Sequence, residues 1–251
     1  MIKDTLKKRW ILVCWIFAFI LCCPAALSAQ AAILLINPTD QPIVQRCFIE
    51  YNNTKRTECA AVGEVAGVHY AIDLSNGSII NTWRGAFIDA TSMWTDRGIL
   101  QLAKPLGKVN VLSNKPAFAL LDGKDVNWPD SIQEGYDFKG YQMDNTGRPI
   151  FSYTFKGIEI EDRITPEKEH QGLIRNLKFT NLEKPFDLSF LLAESDKIEK
   201  VGKNLYAIGD LTYYIKIDEG KSHVSIKKEK DRFCLVTQAD KNKQINYSII
   251  W

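Results

Sequence analysis

The stretch Val68-His-Tyr-Ala-Ile-Asp-Leu74 decides the fold class. Val68, Tyr70, Ile72 and Leu74 alternate with His69, Ala71 and Asp73, and a period of two sorts side chains onto two faces only if the backbone is extended. The alternation returns in Phe151-Ser-Tyr-Thr-Phe155 and, after Gly157, in Ile158-Glu-Ile-Glu-Asp162. Further extended runs are 173–180, 186–193, 211–217, 223–228, 233–238 and 244–250. Asn, Gly, Asp or Pro separate them at intervals of roughly 8–12 residues, the spacing of antiparallel sandwiches and barrels. Strands with this pattern pack one face and wet the other. No segment carries a long apolar stripe at helical period. The expectation is an all-β protein, a large antiparallel β-sandwich with few or no long helices.

The 251 residues are 45% hydrophobic, 11% aromatic and 25% charged, an ordinary globular composition that excludes disordered and low-complexity classes. Lys3, Lys7, Lys8 and Arg9 against Asp4 give the first 31 residues +3, so a chain of net +2 has a body at −1. A near-neutral body has no general electrostatic attraction to nucleic acid or anionic lipid. The basic start, the uncharged apolar run 10–23 and the small residues around Ala29 and Ala31 have the layout of a secretory signal peptide. Fourteen helical residues span roughly 21 Å, short of a hydrocarbon core of about 30 Å. The reading is a signal peptide over 1–31 and one β-sandwich domain over 32–251, placed in the periplasm or outside the cell. Membrane attachment follows only if the signal segment is retained. No small residue stands where a lipidated Cys22 or Cys23 would need one.

Cys47 and Cys59 flank Tyr51-Asn-Asn-Thr-Lys-Arg56, which reads as a hairpin turn. An oxidising compartment would let two facing cysteines join, while the bland alternative is two small apolar residues in neighbouring strands. Register cannot be read from the sequence, so both readings stand. Cys234 reads as a buried thiol. No CxxC, CxxCH or HExxH occurs, and three histidines make a three-histidine metal site a poor reading; no metal or cofactor is assigned. Asn52-Asn-Thr54 and Asn76-Gly-Ser78 match glycosylation sequons but read as turns.

Stretches 84–106 and 116–134 break the strand rhythm, and irregular loops on a β scaffold are where binding groups tend to sit. The densest polar and aromatic constellation is His69, Asp73, Trp83, Arg84, Asp89, Trp94, Asp96 and Arg97. Sugars offer apolar C–H faces and a hydroxyl rim, so Trp83 or Trp94 are candidates for stacking and Arg84, Asp89 and Arg97 for the rim. His69 and Asp73 share a strand face about 13 Å apart, too far for a local dyad. His69, Asp89 and Arg97 become acid–base candidates if the fold gathers them. The competing reading makes the tryptophans core and the charges loop-fixing pairs. Asp162 or Arg163 with Arg175 reads as a buried ion pair, His170 and His223 as solvated, and 227–232, mixed in sign, as an exposed turn.

The blocks Gly67-Val-His-Tyr-Ala-Ile-Asp73, Trp83-Arg-Gly-Ala-Phe-Ile-Asp89, Met93-Trp-Thr-Asp-Arg-Gly98 and Pro105-Leu-Gly107, followed by Phe138-Lys-Gly-Tyr141, Gly147-Arg-Pro-Ile-Phe151 and 157–162, resemble a module of secreted bacterial proteins. That module, of unassigned activity, accompanies c-type cytochromes and sugar-dehydrogenase-like propellers. The resemblance covers about 45–175. It implies a sugar-binding sandwich like that of aldose mutarotases, with a c-type cytochrome or sugar-dehydrogenase-like protein as possible partner. The chain lacks haem-binding CxxCH, so any electron transfer would belong to that partner. The preferred expectation is an exported module that binds carbohydrate or supports a redox partner. The alternatives are a carbohydrate-active enzyme (epimerase, lyase or hydrolase) and a structural envelope protein.

Overall fold

Turn chemistry sets the strand ends. Asn52 and Asn53 both adopt left-handed backbone angles, φ 47° and 60°, the geometry of a tight two-residue hairpin turn whose twist matches that of the flanking strands. The computed structural model describes residues 33–95, 100–121, 127–169, 171–183, 188–218, 223–239 and 242–251. Among them are twenty strands and one helix, α1 (Thr91–Thr95). Residues 1–31, read above as a signal peptide, lie outside the described residues, as do Asp96, Arg97 and His170.

A five-stranded sheet runs in the order β2 (Ile43–Tyr51), β3 (Thr54–Gly63), β4 (Val68–Asp73), β5 (Ser78–Arg84), β8 (Val109–Val111). Each neighbour is antiparallel and, from β2 to β5, next in sequence. The largest sheet has eight strands: β10 (Tyr136–Met143), β11 (Pro149–Phe155), β12 (Ile158–Pro166), β13 (Gly172–Thr180), β20 (Gln244–Ile250), β17 (Tyr213–Ile217), β16 (Leu205–Ile208), β15 (Ile198–Gly202). A four-stranded sheet, β18 (Val224–Glu229), β19 (Arg232–Gln238), β14 (Ser189–Ser195), β9 (Phe118–Ala119), and a small one, β1 (Leu35–Ile36), β6 (Ala86–Asp89), β7 (Lys104–Leu106), complete the architecture. The fold is an all-β antiparallel sandwich. None of its helices is long and apolar enough to cross a membrane, among the described residues.

The main core lies between the five-stranded sheet and the eight- and four-stranded sheets. Val68, Tyr70, Ile72 and Leu74 face it, together with Phe151, Tyr153, Phe155, Ile160, Ile164, Phe190 and Ile249. Strands β11 and β12 keep the expected alternation, inward residues buried and the others wetted or half-buried. Strands β4 and β5 do not. All six residues of β4 and the first six of β5 are buried. Their outer face carries a second core of Cys47, Cys59, Ala61, Ala71, Trp83, Phe87 and Ile88, roofed by the three-stranded sheet. Packing one face and wetting the other is therefore corrected for these two strands, because a third layer covers the side that alternation assigns to water.

The two irregular stretches resolve differently. Region 84–106 contributes β6, α1 and β7, which form that roof. In 116–134, Trp128 pins the loop: its indole Nε1 donates to the Pro116 carbonyl at 2.8 Å, and its ring joins Ala119, Leu191, Cys234 and Val236 in a third small core. Asp162 and Arg175 form the buried ion pair. Arg175 Nε and Nη2 donate to the two carboxylate oxygens at 3.0 and 2.6 Å, and Nη2 also donates to the Gly77 carbonyl at 2.6 Å. Arg163 instead reaches outward to Asp144 at 3.0 Å.

Candidate functional site

The residues singled out in the sequence separate in space. His69 stands opposite Trp83 across β4 and β5, and both are buried in the second core. The imidazole Nδ1 accepts from the Glu64 backbone N–H at 3.1 Å, so the proton sits on Nε2, which donates to the Gly85 carbonyl at 2.8 Å. Burial holds its pKa below the ordinary histidine value, partly offset by the Gly85 carbonyl. This is a neutral, fully engaged ring with no face toward solvent, so His69 is corrected from base candidate to packing residue. Trp83 has no exposed surface; its Nε1 donates to the Phe87 carbonyl at 2.8 Å and its ring stacks on Phe87 at 5.9 Å. A ligand cannot stack on it.

Arg84, Asp89 and Asp73 also serve the fold. Arg84 donates to the Trp251 main-chain oxygen at 2.6 Å and lies over that indole at 5.0 Å. Asp89 accepts from the Thr91 N–H at 2.8 Å and caps the entry to α1, and hydrogen bonding from the Thr91 side chain and N–H holds its carboxyl below the usual range. Asp73 accepts from both the N–H and the hydroxyl of Ser75, closing the β4–β5 turn. Trp94 alone among these points outward, 69% exposed. Arg97 lies outside the described residues.

A recess of about 350 Å³ opens elsewhere, where the five-, eight- and four-stranded sheets meet. Its buried lining is Leu112, Ile208, the ring of Tyr213 and the polar Ser195, with Tyr51 half-buried beside them. The exposed lining is mostly polar, Asn52, Asp196, Asp210, Thr212 and Arg232, with Val111 the apolar exception. Glu194, at the end of β14, is fixed from three sides. Ser113 Oγ donates to it at 2.9 Å, Arg232 Nε at 2.9 Å, and Lys115 Nζ lies 3.5 Å away. Tyr51 donates its hydroxyl to the Leu112 carbonyl at 2.7 Å. The Tyr213 hydroxyl is buried and has no hydrogen-bond partner, an unusual state for a phenol that costs about 1–3 kcal/mol unless something accepts from it or donates to it.

These residues come from five separated segments, which is why no motif announced them. Arg232 falls in the run read as an exposed turn and is exposed, but Glu229 of that run is corrected: it is buried and pairs with Lys115 at 3.3 Å. The legible signals were Glu194-Ser195-Asp196 and Gly209-Asp210, acidic turns directly after apolar strands. Among the described residues no group of three or more His, Cys, Asp or Glu side chains is placed to hold a metal. No protein-family model matches the chain, and no curated protein matches it in sequence.

Proposed function

We propose that the domain is an exported carbohydrate-binding β-sandwich and that the recess between the three sheets is its sugar site. The observation that carries this is the recess's mixed lining, in which the Tyr213 ring, Leu112, Ile208 and Val111 lie beside the hydrogen-bonding groups of Ser195, Asp210, Thr212 and Arg232. A pyranose ring has the same two kinds of surface, and a volume of about 350 Å³ lies at the small end of ligand pockets. Glu194, immobilised by Ser113 and Arg232, supplies a pre-oriented acceptor for hydroxyls. Export rests on the N-terminal layout, and the location that goes with it is the periplasm or the medium.

A purified full chain titrated calorimetrically against neutral mono- and oligosaccharides is expected to show saturable binding. Asp210→Ala and Thr212→Ala remove exposed rim groups, so they should weaken affinity about tenfold or more while leaving stability within about 0.5 kcal/mol. Saturable binding that ignores both substitutions would move the site elsewhere. No binding to any sugar would leave the structural envelope reading, which the use of His69, Trp83, Arg84 and Asp89 in packing and capping favours.

A further inference from the structure

We propose that Cys47 and Cys59 are a disulfide site that locks the β2–β3 hairpin. A β-bulge brings the two residues together, whatever the recess binds. Outward from the Asn52-Asn53 turn the pairs are Tyr51 with Thr54, Glu50 with Lys55 and Ile49 with Arg56. Regular pairing would then set Cys47 against Glu58 and turn Cys59 to the opposite face. The register instead shifts by one: Thr57 and Glu58 fall opposite Phe48 alone, and Cys47 stands directly against Cys59. Directly opposed antiparallel residues project to the same face with Cα atoms about 4.5–5.5 Å apart, inside the range of about 4.4–6.8 Å that a disulfide spans. Both side chains lie in the second core, 5% and 0% exposed. The remaining described thiol, Cys234, belongs to a different core.

Both cysteines are free thiols in the structure. Burial pushes the Cys47 thiol up to about 12 and raises Cys59 as well, so the folded dithiol has almost no thiolate with which to react. The bond therefore forms before the three-stranded sheet closes over the hairpin. One cysteine thiolate attacks the disulfide of an oxidant, giving a mixed disulfide and one released thiol. The second cysteine displaces the other half. The oxidant leaves as two thiols that carry the two protons, and the two cysteine sulfurs are oxidised to one S–S bond.

The test is a peptide map. The reduced, unfolded full chain is refolded with reduced and oxidised glutathione, remaining thiols are alkylated, and the unreduced product is cut with trypsin. Lys55 and Arg56 lie between the cysteines, so peptides 47–55 and 57–84, each holding one cysteine, separate unless joined. The expected result is a linked 47–55/57–84 species, lighter by two hydrogens than its parts, that vanishes on reduction and persists in Cys234→Ser. Alkylated Cys47 and Cys59 in the refolded wild-type chain, or either one joined mainly to another cysteine, overturns the proposal.

Discussion

His69 has the residue type and the strand neighbours of a general base, yet each of its nitrogens is spent on a backbone group and its ring packs against Trp83 and Phe87 at 5.6 and 5.3 Å. A single buried imidazole of this kind acts on stability rather than on a substrate. Its folded pKa lies below the unfolded value because burial penalises the cation, so the unfolded chain takes up the proton first. The stabilisation is complete above the unfolded pKa of about 6.5 and is lost as pH falls from there through the folded value. The urea midpoint should therefore drop between pH 7.5 and 5.5, and the drop should flatten in His69→Gln. Glu64, whose carboxyl burial raises, works in the opposite sense, so the comparison of wild type with variant at each pH isolates the imidazole. An equal slope in both proteins would remove this role.

Elements were the most legible level. Alternation located β4, β11 and β12, and turn residues located the β2–β3 and β11–β12 hairpins, because a two-residue period and a left-handed turn are properties of a few neighbouring residues. Ends were less legible. The run 211–217 becomes β17 only from Tyr213, since Leu211 sits in the left-handed region at φ 59°. The bulge in β2–β3 was invisible, as register depends on what both strands bury. The hairpin turn makes a prediction at this scale. Asn53, at φ 60°, tolerates the left-handed region that a side chain with a β-carbon otherwise resists by about 1–2 kcal/mol. Asn53→Ala should cost about 1 kcal/mol in urea denaturation, whereas Asn53→Gly should be neutral or stabilising.

At the scale of the whole molecule the layers are held by groups that cross between sheets. Arg175, on β13, grips Asp162 within its own sheet and the Gly77 carbonyl in the β4–β5 turn of the opposite one. It is 2% exposed and Asp162 0%, so losing the cation leaves a buried carboxylate unpaired. Arg175→Met should cost about 3–5 kcal/mol, and Arg175→Met with Asp162→Leu should recover much of it, as a double-mutant cycle in urea would show. The same scale explains the candidate site. Asp89 and Trp83 were visible because they cluster in sequence, but clustering on one chain segment here meant a shared roof. Glu194, Asp210 and Arg232 were not, because three sheets had to meet before they became neighbours. By itself the sequence determined the strand class, the turns and the charge balance, since backbone sterics and side-chain period act between residues a few positions apart. Only the tertiary structure decided that β4 is covered on both faces, that a one-residue bulge sets Cys47 against Cys59, and where a recess remains open. Those outcomes depend on which surfaces exclude water from one another, a relation among residues far apart in the chain.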